Sequence, residues 1–480
     1  GTVRSRCYIL STQGIDVVGH ERLPTKYRQL NRQLNRGGID SRDARRFVLA
    51  LCLGIIVLSE TGWAQNETPE VIQQRATAAG LERFKSKHLT LYTDIRDNPS
   101  IAELPHVFDL AVPQWAEFLN VPADKLADWH MTGFIMKDAA RFRRAGFLPD
   151  DLPDFLHAFQ RGKQFWVYEQ PSDYYRRHLV LHEGTHGVME RLFRGAGPPW
   201  YMEGTAELES THRWDGSKLQ LGVVPDSKDD FAYLGRLKVI RNGQNAGNIP
   251  SMNEIMTYDN RAHLRVEPYA WCWALAVFLD TAPRTRQSFR ALAPKGANTS
   301  LSFSSEFIRQ HALHRVDLEN GWQAFAADLD YGSSPKHQIP DSRPRQTLTD
   351  SADVTILAAH GWQGTGIVLE AGNTYRLTST SRFRLGAEPG SWWSEPQGIT
   401  IDYHRGRPIG MLLGALAPEP SKLPSTDRVE QPGSFLEPVA IGRDFTWKVK
   451  RTSRLFLKIN ESTGNLADNG GTVEIHVSKQ

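Results

Sequence analysis

Residues 173–193, DYYRRHLVLHEGTHGVMERLF, hold the pattern that decides the fold. Ser172 offers a helix N-cap and Gly195 a stop signal, so the sequence predicts one long helix over residues 173–193. Within it His182 and His186 are four residues apart, and at 3.6 residues per turn their imidazoles lie on the same face of the helix. The two side chains can therefore bind one metal ion, which predicts a metal site on this helix.

The third ligand of that site is predicted to come from a second helix. Residues 200–207, WYMEGTAE, follow a Gly-Pro-Pro turn that would fold this helix back against the first. Glu203 would complete a three-ligand site with one position open for water, and Glu207 could accept the outer N–H of a ligand histidine. Glu183 projects about a third of a turn from His182, where it could deprotonate a metal-activated water without binding the metal.

The pattern His-Glu-x-x-His followed by Glu-Gly-x-Ala resembles that of the gluzincin metallopeptidases, and most closely the peptidase-MA-like exported bacterial proteins. The resemblance covers about residues 85–330 and implies an α+β zincin-like domain, Zn²⁺ as cofactor and a peptide or protein as substrate. It implies that His182, His186 and Glu203 bind zinc and that Glu183 is the general base. Glu207 would be the carboxylate behind a ligand histidine. The interval between the second histidine and the glutamate ligand is slightly shorter than in the best-known members.

A peptidase also needs a donor that stabilises the oxyanion formed at the substrate carbonyl. Tyr269 is the candidate, because the related proteins place a Tyr-Ala-x-x-Trp helix after the metal site and residues 269–273 read YAWCW. His212 and His263 compete for this role, and ordinary core packing accounts for Tyr269 equally well. The catalytic residues expected by resemblance are thus Glu183 and Tyr269.

Other residues near the predicted site allow more than one interpretation. His178 lies one turn before His182 and is expected either to support a ligand or to be exposed. Gly184 and Gly187 each cost about 1 kcal/mol inside a helix relative to alanine, so a purely structural helix would seldom carry both. The alternative is a surface helix whose histidines occur by chance. Strand 164–169 could pair with an extended substrate backbone, or its aromatic residues could belong to the core.

Residues 351–480 are predicted to form a second, all-β domain. Short alternating apolar runs such as 374–378 and 455–459 are separated by glycine-rich turns, which is typical of a β-sandwich. A polar Pro/Ser stretch at 332–350 has the composition of a linker. The expected domains are therefore 65–331 and 351–480.

This second domain resembles the calcium-dependent galactophilic bacterial lectins over nearly its whole length. The resemblance rests on GWQG at 361–364, EPQG at 395–398, PIG at 408–410 and the loop at 460–471. It implies a Ca²⁺ site to which Leu385 contributes its backbone carbonyl. The side-chain ligands would be Glu461, Asn465, Asp468 and Asn469. Hard oxygen ligands of this kind are those that calcium prefers.

The lectin pattern is not matched at every position. Glu461 stands where the family has a shorter Asp, and Asn465 stands where it has a Thr. Gln397 matches a sugar-contacting position, but Ser394 replaces the partner histidine, so galactose specificity does not carry over. An ordinary Asx-rich turn between two strands explains the loop equally well.

The N-terminal region predicts export. Residues 47–58 form a run of twelve apolar residues, preceded by three arginines and followed by Gly62-Trp63-Ala64, which is typical of a secretory signal. Residues 1–64 are therefore expected to be a leader; an uncleaved N-terminal anchor is the other interpretation, although twelve residues are few for a bilayer. The mature chain is expected to be secreted, periplasmic or on the cell surface of a bacterium, with no transmembrane helix.

The charge distribution argues against a nucleic-acid partner. The formal net charge is +3, but residues 1–64 hold 10 of the 57 Lys and Arg against 5 of the 54 Asp and Glu. The remainder carries 47 basic and 49 acidic side chains, a net charge of −2, so a basic footprint is absent there. Cys7 and Cys52 fall in the leader, which leaves Cys272 as a buried small hydrophobe and no intrachain disulfide.

Together these patterns predict an exported zinc-dependent peptidase that hydrolyses peptide bonds by a metal-activated water, with a C-terminal module that binds calcium and glycans. The alternative is a glycan-binding adhesion protein whose zincin scaffold is catalytically silent. Glycan binding without proteolysis, despite bound zinc, would identify that alternative. A glycoside hydrolase is a third interpretation, but the well-placed carboxylates are better explained around a metal.

Overall fold

The computed structural model describes residues 68–259, 266–340, 343–387, 389–418 and 434–480. The predicted leader at 1–64, its apolar segment at 47–58 and His263 lie outside the described residues. From residue 81 onward the described chain forms one compact unit, and helix α1 (Pro69–Ala78) belongs to a second. Among the helices of the described part, none has both the length and the apolar character that crossing a bilayer requires.

The first part of the main unit contains a five-stranded mixed sheet. Its strands are β1 (Glu82–Lys85), β2 (Leu89–Thr93), β3 (Met131–Met136), β4 (Ala158–Arg161) and β5 (Gln164–Tyr168). They are arranged in the order β1-β2-β3-β5-β4, with β2, β3 and β5 parallel and the two outer strands antiparallel. Strand β5 confirms the strand predicted at 164–169.

Helices and a small two-stranded ribbon, β6 (His212–Trp214) with β7 (Leu219–Leu221), complete this part. The helices are α2 (Pro99–Ala102), α3 (Leu104–Phe118), α4 (Ala139–Arg144), α5 (Asp173–Phe193), α6 (Pro199–Leu208), α7 (Arg236–Asn245), α8 (Met252–Met256), α9 (Val266–Thr281), α10 (Arg286–Arg290), α11 (Leu301–Gln310), α12 (Arg315–Asp328) and α13 (Pro335–Gln338). Helix α5 packs on the sheet and α6 contacts both α5 and α9. The predicted long helix and the two helices expected after it are confirmed.

Of the two interpretations of strand 164–169, pairing with an extended substrate is wrong, because β5 is hydrogen-bonded on both sides, to β3 and to β4. The other holds, since its aromatic residues Phe165 and Trp166 are fully buried. A hairpin turn at Gly162, whose φ is +60°, brings β4 back along β5 and covers that edge. The edge strand of the sheet is therefore β4, Ala158–Arg161.

The C-terminal part is a sandwich of β-sheets. Its strands are β8 (Gln346–Thr347), β9 (Ser351–Leu357), β10 (Gln363–Leu369), β11 (Thr374–Thr378), β12 (Phe383–Leu385), β13 (Trp392–Ser394), β14 (Gln397–His404), β15 (Arg407–Pro418), β16 (Val439–Ala440), β17 (Asp444–Lys448), β18 (Ser453–Ile459) and β19 (Thr472–Lys479). One sheet has the order β14-β15-β18-β10-β8 and the other β17-β11-β19-β9, with a common core between them. The fold is thus mixed α and β with a β-rich C-terminal region in several sheets, as predicted at that level.

Strand β18 shows how the sandwich meets the helices. Alternate residues of a strand point to opposite faces, and here Leu455 and Leu457 belong to the sandwich core while Phe456 joins the core of the helical part. Lys458, on the same face as Phe456, lies 2.5 Å from the carboxylate of Asp328 at the end of α12. Every residue of β18 is buried, so the six-stranded sheet is covered on both faces along this strand.

The polar stretch at 332–350 contacts both the helical part and the sandwich. It contains helix α13 and strand β8, which pairs with β10. The Gly361 N–H donates to the carbonyl of His337 at 2.8 Å, and the Ser333 hydroxyl donates to Thr463 at 2.9 Å. The division into domains at 332–350 stays a prediction, but the described residues of this stretch, which exclude 341 and 342, contact both parts.

Candidate metal centre

Helix α5 positions both histidines and is held at its start and end. The Ser172 hydroxyl caps it by accepting the N–H of Tyr175 at 3.0 Å, as predicted. The helix ends at Arg194, which adopts the left-handed conformation with φ of 60°. Every side chain from Tyr174 to Met189 is buried, so α5 is a core helix and not a surface helix with chance histidines.

The two glycines of α5 have a packing explanation that the sequence did not show. A Cβ at Gly184 would lie 2.6 Å from the rings of Phe108 and Trp115 in α3, and a Cβ at Gly187 would lie 2.4 Å from Met131 in β3. Glycine therefore lets α5 approach its neighbours closely. The expectation that a structural helix would seldom carry both glycines was wrong, because close packing accounts for them.

Helix α6 approaches α9 just as closely at Gly204, between the two glutamates of the predicted site. Its Cβ would lie 2.7 Å from the carbonyl oxygen of Cys272. Gly204→Ala is therefore expected to lower the free energy of unfolding by about 1–3 kcal/mol, because a backbone atom cannot move aside without shifting a helix.

Gly187→Ala is the matched control for Gly204→Ala. Its Cβ would press chiefly on the flexible side chain of Met131, while alanine contributes about 1 kcal/mol of helix propensity. Urea denaturation of both variants measures the difference. If both variants lose the same free energy of unfolding, the backbone contact between Gly204 in α6 and Cys272 in α9 does not restrict residue size.

Three donor atoms converge where the two helices meet. Nε2 of His182 lies 3.1 Å from Nε2 of His186, and Oε2 of Glu203 lies 3.3 and 3.6 Å from these two nitrogens. All three side chains are at most 3% exposed. Two imidazole nitrogens and a carboxylate oxygen are the donor types that zinc binds, so the residues present fit this ion.

The electrostatics of these residues show that the site needs a positive charge. Burial would lower the pKa of His182, but hydrogen bonds to Glu203 and Glu207 outweigh it and raise the pKa to about 10. Burial would raise the pKa of Glu203, but the two histidines lower it to about 2. A proton shared among these groups, or a metal ion in its place, balances the buried carboxylate.

Glu183 lies beside this cluster with its carboxylate unengaged. Both of its oxygens are buried, and neither has a hydrogen-bond partner among the described residues. Burial raises the pKa of Glu183, and the neighbouring His182 and His186 oppose that shift. A buried carboxylate without a partner is costly, so its retention here favours a functional role.

Glu207 lies next to His182, outside the cluster, and its supporting role stays a prediction. Its Oε1 lies 3.3 Å from Nδ1 of His182, and its Oε2 lies 3.5 Å from Nε2 of His178. His178 is fully buried, so of its two interpretations the exposed one is wrong. Arg236 donates to both oxygens of Glu207 at 2.7 and 2.8 Å, a contact that no sequence pattern signals.

The candidates for the oxyanion donor lie in different surroundings. The Tyr269 ring is buried beneath the guanidinium of Arg236, 5.4 Å from its centroid, so its catalytic role stays a prediction. His212 is buried with both ring nitrogens engaged, by Arg177 at 2.9 Å and by the Ser210 carbonyl at 2.8 Å. Burial, together with Arg177, lowers the pKa of His212 to about 3, so it has no N–H to offer a substrate.

Four of the residues predicted to bind calcium, Glu461, Asn465, Asp468 and Asn469, lie on one loop, and this loop contacts the residue after Leu385. The Asn469 amide oxygen accepts the N–H of Gly386 at 3.0 Å, and its Nδ2 donates to the carbonyl of Ala358 at 3.2 Å. Burial raises the pKa of Glu461 to about 7, and the negative charges of Asp468 and Asp402 add to the shift. The sequence did not single out Asp402. The hydrogen bonds of Asn469 suit an Asx-rich turn, and carboxylate and amide side chains near Glu461 also suit calcium.

The side chains around position 397 differ in their exposure. Gln397 is exposed and donates to the carboxylate of Glu395 at 3.2 Å. Ser394 is buried, with its hydroxyl donating to the Glu395 carbonyl at 3.2 Å. The side chain that stands in the histidine position of the lectins is therefore turned inward.

The chain matches no protein-family model and no curated protein. Part of it is similar to the EclA N-terminal domain, a PllA-like lectin, with 20% identity and a TM-score of 0.20 over 28% of this chain and 98% of that chain. Part is similar to PliG, a periplasmic inhibitor of g-type lysozyme from Aeromonas hydrophila, with 9% identity and a TM-score of 0.15 over 28% of this chain and 96% of that chain. With TM-scores below 0.5, neither likeness supports a conclusion.

Proposed function

We propose that this chain is an exported zinc metallopeptidase of the gluzincin type, with a zincin-like domain around helices α5 and α6. The observation that carries the proposal is the convergence of His182, His186 and Glu203 on one buried point. Beside it, the Glu183 carboxylate has no other partner. Two imidazoles from one helix, a carboxylate from the next and an uncommitted base are the parts that metal-assisted hydrolysis needs.

Each residue has a defined task in this proposal. A bound zinc ion would supply the Lewis acid that polarises the substrate carbonyl and lowers the pKa of water. Glu183 would take the proton of the attacking water and pass it to the departing amine. Glu207 would hold the Nδ1–H of His182 and so leave Nε2 for the metal. Tyr269 is proposed as the oxyanion donor.

The C-terminal sandwich is proposed as an accessory module that binds calcium and glycans and holds the peptidase near a cell surface. Support comes from the carboxylate and amide side chains near Glu461 and from the exposed side chain of Gln397. An adhesion protein with a silent zincin scaffold remains the competing proposal. It would bind glycans and zinc but cleave no peptide from an unbiased library.

Zinc stoichiometry tests the centre directly. Purified wild-type chain is expected to contain about one zinc ion, because His182, His186 and Glu203 form one proposed site. His186→Ala removes one ligand and is expected to lose that zinc. His314→Ala, a substitution at an exposed histidine, is the matched control and should keep it. Wild-type chain without zinc after exposure to the metal, or a His186→Ala variant that keeps it, would refute the centre.

A further inference from the structure

Arg236, the first residue of helix α7, lies behind the candidate metal centre. Its side chain is 4% exposed, and its Nε and Nη2 donate to the two oxygens of Glu207 at 2.8 and 2.7 Å. Such a two-pronged arginine–carboxylate contact fixes the direction of the carboxylate as well as its charge. Arg236 therefore determines how Glu207 faces α5.

Two aromatic side chains hold Arg236 in turn. Its guanidinium lies over the ring of Tyr269, 5.4 Å from the centroid, and its positive charge lies near the hydroxyl of Tyr175. Tyr269 belongs to α9 and Tyr175 to α5, so the guanidinium is held between the helices that surround the site. This fixed position makes Arg236 a support and not a mobile surface charge.

Each oxygen of Glu207 is shared between Arg236 and a histidine. Oε1 lies 3.3 Å from Nδ1 of His182, and Oε2 lies 3.5 Å from Nε2 of His178. With Nδ1 of His182 turned to Glu207, the opposite nitrogen, Nε2, points to His186 at 3.1 Å. Arg236 thus contacts Glu207, and Glu207 contacts His182, a proposed metal ligand. Arg236 can therefore influence the orientation of His182.

The same three groups could instead be taken as a second metal site, since donor atoms of His178, His182 and Glu207 also lie within 4.8 Å of one another. The guanidinium argues against this interpretation. It already donates to both oxygens of Glu207 and would repel a cation placed beside them. The cluster is better explained as a support for the first centre.

We propose that Arg236 is a positioning residue of the metal centre, which fixes Glu207 so that His182 presents Nε2 to the metal. The inference rests on the proposed function, because it assumes that His182 is a ligand. Removing Arg236 is expected to leave Glu207 charged, buried and free to turn. Outer supports of ligand histidines contribute typically 10- to 100-fold to metal affinity.

The test compares zinc affinities of full-length variants by chelator competition, and the absorption spectrum of each variant with Co²⁺ in place of zinc. Arg236→Met keeps the length and loses the charge, and is expected to weaken zinc binding about 10- to 100-fold and to alter the Co²⁺ spectrum. Arg236→Lys keeps the positive charge but cannot make the two-pronged contact with Glu207, and it should bind zinc with intermediate affinity. The double variant Arg236→Met/Glu207→Gln removes the unbalanced carboxylate and should bind more tightly than Arg236→Met alone.

Arg290→Met is the matched control. Arg290 makes the same two-pronged contact, with Asp280 at 2.6 and 2.9 Å, and lies over the ring of Phe118, but it touches no histidine of the site. This variant is expected to lose stability while its zinc affinity and Co²⁺ spectrum stay those of wild type. If Arg236 only stabilised the fold, Arg236→Met would likewise lose stability and keep the zinc affinity and Co²⁺ spectrum of wild type.

The outcomes separate this inference from the proposed function. A folded Arg236→Met variant with wild-type zinc affinity and spectrum would overturn the positioning role while leaving the centre intact. Wild-type chain that binds no zinc would instead refute the proposed function. If Arg236→Met does not fold, the lysine and double variants decide: wild-type affinity and spectrum in Arg236→Lys would overturn the role, and weakened binding would support it.

Discussion

Replacing Glu183 with glutamine is expected to reduce peptide hydrolysis by a factor of about 10² to 10⁴ while zinc stays bound. Glutamine has nearly the same size as glutamate but cannot accept a proton from water, so the chemical step loses its base. Neither Glu183 oxygen is hydrogen-bonded among the described residues, so the substitution breaks no buried contact. The loss should appear in kcat, with zinc content and the melting temperature close to those of wild type.

Glu190→Gln is the matched control for this substitution. Glu190 lies two turns later in the same helix, is exposed, and accepts a hydrogen bond from Gln160 at 2.7 Å. Its replacement is expected to leave hydrolysis unchanged. A Glu183→Gln variant that cleaves peptides at the wild-type rate would remove Glu183 from the mechanism, and one that loses zinc would assign it a structural task.

The local part of the candidate site was predictable because it depends on helix periodicity. His182 and His186 share a face whenever residues 173–193 are helical, and the Ser172 cap and glycine stop signalled that helix. Glu203 required one more step, the antiparallel turn before α6, which the Gly-Pro-Pro sequence supplied. These residues are near in sequence, so local rules were enough to bring them together.

Contacts between distant segments were not predictable. Arg236 is 29 residues from Glu207, and a lone arginine at a helix start carries no signal for a buried carboxylate partner. An edge position stayed open as one interpretation of β5 because β4 is short and weakly patterned, so the hairpin that covers β5 was not predicted. The reason for Gly184 lay in α3, whose Phe108 and Trp115 rings are more than sixty residues earlier.

The sandwich was predicted from its alternating runs. The burial of the second face of β18, which packs against the helices, was not predicted. Alternation reports which residues share a face, and cannot say whether the second face meets solvent or another layer. Phe456 and Lys458 in β18 could have been an exposed aromatic and a surface lysine. Their burial against α12 depends on tertiary packing, which makes the ion pair between Lys458 and Asp328 the best place to test that contact.

Asp328→Asn is expected to lower the free energy of unfolding by about 3–5 kcal/mol, because it leaves the ammonium of Lys458 buried without its carboxylate. The two side chains are 4% and 3% exposed, and their charged atoms are 2.5 Å apart. Lys458→Met should cost less, because Arg405 still lies 3.2 Å from Asp328. The double variant Asp328→Asn/Lys458→Met should recover much of the loss, since the buried ammonium is gone and the remaining cation, Arg405, has a side chain that is 36% exposed. Chemical denaturation of the four proteins measures the coupling.

The pH dependence gives this prediction a second measurement. Burial lowers the pKa of Lys458 even with Asp328 present, so in Asp328→Asn the folded lysine should release its proton more readily still. The unfolded chain then binds more protons than the folded chain, and the stability of Asp328→Asn should rise with pH toward the ordinary lysine range. Asp444→Asn, at an exposed ion pair with Arg376, is the matched control and should change stability little. Equal and small effects of Asp328→Asn and Asp444→Asn would show that the sandwich does not depend on this buried contact.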